Sequence, residues 1–487
     1  MDRKISHLEP KIIWSYFEDI CQVPRPSKKE EQIISFMEQF AKKNKLEYQI
    51  DKAGNVLIKK GATQGYENRP TVILQSHLDM VCEKNSEVEH DFMKDPILAY
   101  IDGDWVKAKG TTLGADCGIG VASAMAVLTD ETLKHGPIEA IFTVDEETGL
   151  TGAAALQPGF LSGNILINLD SEDEGELFIG CAGGVDTVIN FSYQKLEIPA
   201  GYFPLEIQVA GLMGGHSGDD IDRGRANANK LLVRFLWAAY HKFGFKLANI
   251  DGGNLRNAIA REAKAIVLIQ NGYKENLVAD FNVFKHDVAA EIALNEPDFK
   301  MTMGSAQMPD FVLDDLTTEK ILNSLYACPH GVHTMSSKMP GMVETSTNLA
   351  SVKMKVESII EVTTSQRSDV KSGIADISSM VAAVFTMAGA SIRTTDGYPG
   401  WTPNPDSPIL AVTEKSYESL FKHKPVVRSI HAGLECGLFL EKYPTLDMVS
   451  FGPTIKGVHS PDERINIKTV DQFWKHLTEV LKNIPAI

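Results

Sequence analysis

Three apolar segments of the chain are each followed by histidine or carboxylate side chains. The segments are 72–74, 138–144 and 165–169. Their content of Val, Ile and Leu and their short length predict buried β-strands. The polar residues that follow them are His77 and Asp79, then Asp145, Glu146 and Glu147, then Asp170. Carboxyl ends of neighbouring parallel strands meet at one edge of a sheet, so we expect these side chains to lie together.

Helical patterns alternate with these strands. Residues 27–30 (Ser-Lys-Lys-Glu) fit a capping box, and apolar residues then recur on one helical face from Ile33 to Phe40. A second helix, of small residues, is expected over 117–128. This alternation predicts an α/β fold with a mixed, largely parallel sheet and flanking helices.

The chain of 487 residues is too long for one hydrophobic core, so at least two domains are expected. After about Val185 the pattern changes. Longer strands are expected at 205–209, 263–269 and 352–362, and helices at 226–240 and 374–388. Past Pro399 the first pattern returns. We therefore predict one α/β domain formed by residues 1–185 and 398–487, with an α+β domain of residues 186–397 inserted into it.

The charge balance of the chain excludes several kinds of partner. Its formal net charge is −16, which disfavours binding to nucleic acid or to an anionic membrane. The start of the sequence lacks a signal-peptide pattern, and no apolar run is long enough to cross a bilayer. These features predict a cytoplasmic protein with no nucleic-acid or membrane partner.

His77 and Asp79 lie two residues apart at the end of a predicted strand, where the two-residue period points both side chains the same way. A metal-binding histidine usually gives its second ring N–H to a carboxylate, and Asp79 is placed to accept it. Alone, however, the pair is more often an incidental strand end.

Asp116 precedes the predicted helix of small residues and allows two interpretations, a metal ligand or a simple helix N-cap. Residues 118–123 superficially resemble a dinucleotide-binding glycine pattern. That pattern requires a buried strand directly before it, and 107–112 is no such strand. The negative charge of Asp116 would also repel a pyrophosphate.

Two further candidates have ordinary alternatives. An acidic run such as 145–147 usually marks a solvated face, and a lone loop histidine such as His459 is usually a surface residue. As a set, the candidates suit zinc, and a shared carboxylate would allow two ions. The proposed ligands are His77, Asp116, Glu147, Asp170 and His459. Glu146 is then free to act as the general base.

Read together, these motifs resemble the zinc aminoacylase and peptidase superfamily, from near residue 20 to beyond residue 460. The matching segments are 76–79 (Ser-His-Leu-Asp), 114–116 (Gly-Ala-Asp), 145–149 (Asp-Glu-Glu-Thr-Gly), 168–170 (Asn-Leu-Asp) and 457–460 (Gly-Val-His-Ser). A narrower resemblance is to the aminoacyl-histidine dipeptidase branch. It rests on 23–27 (Val-Pro-Arg-Pro-Ser), 114–118, 212–218 (Leu-Met-Gly-Gly-His-Ser-Gly) and 430–437 (Ile-His-Ala-Gly-Leu-Glu-Cys-Gly).

The resemblance implies roles for the first-domain residues. Asp116 would bridge two ions, one completed by His77 and Asp170 and the other by Glu147 and His459. The resemblance also implies that Asp79 supports His77 and that Glu146 is the general base.

For the inserted domain, the resemblance implies a lid that also forms a dimer interface. His216 would stabilise the oxyanion, from the partner subunit in dimeric members, while Asn257, Arg367 and Gly433 would contact the dipeptide. Without the resemblance, 214–218 is simply a flexible loop, and Arg367 is a surface charge or a structural ion pair. Arginine is nevertheless a natural partner for a substrate carboxylate.

The candidate ligands and the resemblance together predict a metallopeptidase with two Zn²⁺ per subunit that hydrolyses dipeptides. The resemblance further implies a homodimer and activity on Xaa-His and related unblocked dipeptides. Mn²⁺ or Co²⁺ could occupy the same ligands. One alternative is an N-acyl amino acid amidohydrolase or deacetylase of the same fold. Another is a non-catalytic, metal-dependent binding protein, for which Asp79 and Glu146 would be superfluous.

Overall fold

The computed structural model describes residues 4–486. The helices in that range are α1 (Lys11–Ile20), α2 (Glu31–Lys43), α3 (Ala115–Thr129), α4 (Glu146–Gly149), α5 (Thr151–Ala155), α6 (Ala228–Phe243), α7 (Lys274–Ile292), α8 (Asp315–Ala327), α9 (Lys371–Met387), α10 (Pro408–Phe421), α11 (Cys436–Lys442) and α12 (Ile467–Asn483).

The strands of the same range are β1 (Glu47–Ile50), β2 (Val56–Lys60), β3 (Val72–His77), β4 (Ala99–Asp102), β5 (Trp105–Ala108), β6 (Ile138–Thr143), β7 (Ile165–Asn168), β8 (Glu176–Cys181), β9 (Gly183–Ser192), β10 (Lys195–Leu196), β11 (Tyr202–Ala210), β12 (Gly215–His216), β13 (Lys246–Gly252), β14 (Ala258–Ile259), β15 (Ala263–Gln270), β16 (Lys300–Ser305), β17 (Val312–Leu313), β18 (Gly331–Met335), β19 (Val343–Lys355), β20 (Ile359–Ser368), β21 (Ser391–Thr394), β22 (Val426–Ile430), β23 (Asp447–Ser450), β24 (Ile455–Lys456) and β25 (Arg464–Asn466).

The packing of the chain divides it into two compact units. The first comprises residues 4–180, 403–429 and 434–486, and the second comprises residues 181–402 and 430–433. The sequence predicts domain limits after residues 185 and 397, and these limits stay predictions.

The first unit is built on a mixed sheet with the strand order β1-β2-β6-β3-β7-β23-β8-β22. Strand β3 runs parallel to β6 and β7, and β7 runs parallel to β23. Helices α1 and α3 pack together, and α3 covers β3. The three apolar segments form β3, β6 and β7, and β3 and β6 are buried along their whole length. The predicted α/β class with a largely parallel sheet is confirmed.

The second unit contains an antiparallel sheet with the strand order β16-β11-β15-β13-β19-β20-β9-β21, and β18 pairs with β19. The apolar residues of α6 and of the inner sheet face share one core, which includes Leu232, Val267 and Val362. The expected single strand at 352–362 is wrong. Strands β19 and β20 form a hairpin there, and Ser358 in its turn has a φ of 58°.

No helix within residues 4–486 combines the length and the apolar character needed to cross a membrane.

Candidate metal centre

His77 ends β3 and is the most enclosed ligand candidate, with a side chain that is 1 % exposed. Its Nε2 atom lies 3.2 Å from Oδ1 of Asp116 and 3.3 Å from Oδ1 of Asp170, which follows the neighbouring strand β7. Its Nδ1 atom lies 3.3 Å from Oδ1 of Asp79. Both ring nitrogens therefore face carboxylates, as the position at the strand end predicts.

His459 lies between β24 and β25, has a φ of 60°, and its side chain is 52 % exposed. Its Nε2 atom lies 3.3 Å from Oδ2 of Asp116 and 3.0 Å from Oε2 of Glu147. The Asp116 carboxylate thus has one oxygen towards each histidine. This arrangement favours the interpretation of Asp116 as a metal ligand over that of a simple helix N-cap.

Asp79 is fully buried and joins the histidine to the acidic turn after β6. It accepts hydrogen bonds from the backbone N–H groups of Glu146 (3.0 Å) and Glu147 (3.2 Å). It also accepts one from Oγ of Ser27 at 2.8 Å. The predicted capping box is therefore wrong, because the N-cap position of α2 belongs to Glu30 and the Ser27 hydroxyl bonds to Asp79 instead.

A row of buried polar side chains crosses the sheet next to these ligands. Gln75, Asn168 and Ser450 are register partners on β3, β7 and β23. Asn168 Nδ2 donates to Gln75 Oε1, and Ser450 Oγ donates to Asn168 Oδ1. Gln75 Nε2 and Thr143 Oγ1 both donate to Oε2 of the fully buried Glu435, each at 2.6 Å. This network fixes the ends of the strands that carry the ligands.

The electrostatics of the cluster reflect four crowded carboxyl groups. Burial raises the pKa of Asp170 to about 6, and it raises the pKa of Glu146 well above its usual value, with added repulsion from Asp170 and Glu147. Burial opposes ionisation of Asp116 too, but hydrogen bonds from the two histidines outweigh it and hold its pKa low. Hydrogen bonds to Asp116 and Glu147 raise the pKa of His459 to about 11.

The donor set fits divalent metal. The atoms of Asp116, Glu147 and His459 that could ligate an ion all lie within 4.8 Å of one another. Oδ1 of Asp170 is buried and, although Nε2 of His77 lies 3.3 Å away, it makes no hydrogen bond of suitable geometry within residues 4–486, so it is available to a cation. Such a concentration of buried negative charge is costly unless cations compensate it.

Cys117 also lies within ligand distance of His77 and Asp170. Its Sγ atom donates to the carbonyl of Leu169 at 3.5 Å, and burial raises its pKa well above the usual range. The Cys117 thiol is thus engaged with a backbone carbonyl. The sequence did not point to it, nor to Glu172, whose pKa burial raises to about 8 beside Asp116 and Asp170.

The second unit brings the predicted substrate-contact residues together. Nη2 of Arg367 lies 3.3 Å from Nε2 of His216, and Nη1 donates to the Tyr398 hydroxyl at 3.0 Å. Nε donates to Oγ of Ser217 at 3.3 Å. Arg367 is 7 % exposed, so the interpretation of an ordinary surface charge is wrong.

Asn257 and Gly433 adjoin the same group. The Asn257 carbonyl accepts the Ser217 N–H at 2.8 Å, and the segment of His216 pairs with β14 directly after Asn257. A Cβ atom on Gly433 would lie 2.8 Å from the Tyr398 ring, closer than side chains tolerate. Tyr398, which the sequence did not indicate, thus packs against Gly433 and bonds to Arg367.

Comparison with known proteins assigns the chain to a family. Residues 73–483 match peptidase family M20/M25/M40. The chain is 44 % identical over 483 residues to the cytosol non-specific dipeptidase of Escherichia coli (strain K12), covering 99 % of both chains. It is 45 % identical to the aminoacylhistidine dipeptidase of Vibrio alginolyticus, whose crystal structure superposes with a TM-score of 0.92 over 100 % of this chain and 99 % of that chain.

More distant structures share the fold alone. Aminopeptidase PepT from Bacillus cereus has a TM-score of 0.57 at 15 % identity, covering 98 % of this chain and 99 % of its own. The resemblance expected from the motifs is confirmed by the full-length relatives, and the cluster around Asp116 lies within the matched residues. The chain therefore belongs to peptidase family M20/M25/M40, a family of metal-dependent hydrolases.

Proposed function

We propose that this chain is a dipeptidase that hydrolyses unblocked dipeptides, Xaa-His dipeptides among them, at a centre for two Zn²⁺ ions. The observation that carries the proposal is the Asp116 carboxylate, which has one oxygen 3.2 Å from His77 and the other 3.3 Å from His459. A carboxylate between two histidines is suited to bridge two ions. The dipeptidase names of the two full-length relatives support the same substrate class.

The ligands divide into two sets that share Asp116. His77 and Asp170 would complete one position, and Glu147 and His459 the other. Bound divalent cations lower the pKa of water and polarise a carbonyl oxygen. Mn²⁺ or Co²⁺ would suit the same nitrogen and oxygen donors.

Glu146 is the proposed general base. It is the first residue of α4, and its backbone N–H donates a hydrogen bond to Asp79. Burial raises the pKa of its carboxyl group, which makes the carboxylate a stronger base than an ordinary glutamate. In this role Glu146 accepts a proton from the attacking water and delivers it to the leaving amine, while Asp79 fixes the orientation of His77.

The second unit supplies the proposed substrate contacts. Arg367 would bind the free carboxylate of the dipeptide, and His216 would donate a hydrogen bond to the oxyanion. Asn257 and Gly433 would line the same pocket. We further propose that the protein acts as a cytoplasmic homodimer. In it, residues 186–397 form the lid and the dimer interface, and His216 is supplied to the neighbouring subunit's site.

A substrate panel tests the reaction class. Zinc-loaded protein is assayed with Ala-His, with β-Ala-His and with N-acetyl amino acids. We expect hydrolysis of the unblocked dipeptides. Preferential hydrolysis of the N-acetyl compounds would instead support an amidohydrolase, and no turnover of any dipeptide would support a binding protein.

The variant Glu146→Gln tests the base assignment. Removal of the proton acceptor should lower kcat by roughly 10²–10⁴-fold while the protein still binds metal. The measurements are dipeptide turnover and metal content. Glu139→Gln is the matched control, because Glu139 is a buried acid at the other end of β6 and bonds to Ser162 and Lys59. Turnover by Glu146→Gln within a few-fold of the control would refute the assignment.

A further inference from the structure

Glu463 lies four residues after His459, and its side chain is buried, with 2 % exposure. Its carboxylate accepts hydrogen bonds from a run of consecutive backbone N–H groups. The donors are Leu113 (2.7 Å) and Gly114 (2.9 Å) to Oε2, and Ala115 (2.7 Å) and Asp116 (3.3 Å) to Oε1. One side chain thus binds the whole turn that leads into Asp116.

Arg25 holds the same turn from the other side. Its Nη2 atom donates to the Gly114 carbonyl at 2.5 Å, while Nη1 donates to the carbonyls of Leu78 (2.9 Å) and Asp79 (2.8 Å). Gly114 has a φ of 69°, and a Cβ atom there would collide with the Arg25 guanidinium. The Gly114 residue is therefore fixed through its N–H by Glu463 and through its carbonyl by Arg25.

The contacts of Glu463 and Arg25 with this turn matter because neither Asp116 nor His459 has regular helix or strand geometry. Asp116 has non-helical dihedral angles at the start of α3, and His459 lies in the connection between β24 and β25. Glu463 directly precedes β25, which pairs with β5. One buried carboxylate that accepts four backbone N–H groups holds them in a single arrangement, so this contact can fix the spacing of the two irregular segments.

We propose that Glu463 is a positioning residue that sets the spacing of Asp116 and His459 and thereby the affinity of the cation position completed by Glu147 and His459. This inference rests on the proposed two-ion function. His77 and Asp170 are held by the ends of β3 and β7 and by the buried network around Gln75. Their cation position therefore depends on Glu463 only through the shared Asp116, and it should be the less affected of the two.

Cobalt titration of the metal-free protein tests the role. In Glu463→Gln an amide NH₂ group replaces one acceptor oxygen and faces backbone N–H donors, so the turn must shift. Isothermal titration calorimetry and the visible absorption of Co²⁺ report each binding step. We expect one step to change by no more than about threefold and a second to be weakened roughly 10–100-fold, with an altered spectrum for the second ion.

Glu139→Gln is the matched control, since Glu139 also accepts backbone N–H groups, from Ser162 and Gly163, and lies away from the ligands. It should bind both ions as the wild type does. Equal weakening of both steps in Glu463→Gln, unchanged affinities within about threefold, or the same loss in Glu139→Gln would each overturn the positioning role.

The number of Co²⁺ ions bound by the wild type separates failure of the two-ion proposal from failure of the positioning role. Wild-type protein that binds only one Co²⁺ would refute the two-ion proposal, whereas two ions in the wild type and two unchanged ions in Glu463→Gln refute only the positioning role. If Glu463→Gln does not fold, Glu463→Asp replaces it, because it keeps the charge and shortens the reach. The same selective weakening is expected, and two unchanged steps in that variant overturn the inference.

Discussion

The two halves of the metal centre are built differently. His77 ends a central strand, and its side chain is 1 % exposed, whereas His459 belongs to a connection between short strands and is 52 % exposed. Asp79 and the network through Gln75 support the first half from within the sheet. Beside the second half, Glu463 accepts the backbone N–H groups of the turn that leads into Asp116. Similar ligands can thus be oriented either by regular structure or by a single buried carboxylate.

The largest difference should appear when each histidine is removed from metal-free protein. Carboxylates raise the pKa of His77 well above its usual value although burial opposes this, so His77→Ala removes a buried cation from among anions. That should lower the free energy of unfolding by about 3–5 kcal/mol. His459→Ala removes a half-exposed cation and should cost at most about 1 kcal/mol. Urea unfolding followed by circular dichroism measures both.

The destabilisation caused by losing a buried imidazole ring must be distinguished from that caused by losing its positive charge. His135→Ala is the control, because burial lowers the pKa of His135 and its ring is therefore neutral. We expect its cost to be smaller than that of His77→Ala. Equal destabilisation by His77→Ala and His459→Ala would remove the proposed difference between the two halves.

A smaller effect concerns Glu435, which supports the first half. Burial raises its pKa to about 8 from a usual value near 4.5. Between these values the folded state holds a proton that the unfolded state has lost, so stability falls as pH rises, by up to about 1.4 kcal/mol per pH unit. Glu435→Gln keeps an oxygen for the two donors and cannot ionise, so this contribution to the slope should vanish.

The measurement for Glu435 is urea unfolding of metal-free protein at several pH values within that window. Glu139→Gln is again the control. Burial opposes ionisation of Glu139, but hydrogen bonds from Ser162 outweigh it and lower its pKa, so its titration lies below the window. An identical pH slope in wild type and Glu435→Gln would show that Glu435 is ionised in the folded protein.

The smallest effect is expected for Ser27→Ala. Asp79 loses the hydroxyl donor but keeps His77 and two backbone N–H groups. We expect a loss of about 1 kcal/mol in stability and a reduction of kcat/KM by a few-fold. Ser35→Ala serves as the control, because it removes an exposed hydroxyl that accepts a hydrogen bond from Gln39. A loss as large as that of His77→Ala would mean that Ser27, and not the strand, orients Asp79.

The sequence predicts that His77 and Asp170 lie together at neighbouring strand ends, and the structure brings them within 3.3 Å of each other. Apolar runs identify β3, β6 and β7. Because the carboxyl ends of neighbouring parallel strands meet at one edge of the sheet, the location of a polar residue that follows such a strand can be predicted. His459 has no such pattern, and only its place in a set of candidates and the family resemblance pointed to it. The capping-box prediction was wrong because Asp79, distant in sequence, offers the Ser27 hydroxyl a stronger acceptor.

The supporting residues could not be predicted for a related reason. Glu435 lies 360 residues from Gln75, and Glu463 lies 349 residues from Gly114. Neither position shows local periodicity or a ligand-like spacing to its partner. Only the folded chain reveals that these acids meet their donors, and the same holds for the contact of Tyr398 with Arg367.

The exposure of His459 also has a kinetic consequence. A ligand that reaches solvent can release an ion and rebind another without any strand moving, whereas His77 is enclosed on all sides by protein. The position completed by His459 should therefore fill last during metal loading and empty first under a chelator. Within one centre, the two ions would then differ in residence time even where their donor atoms are alike.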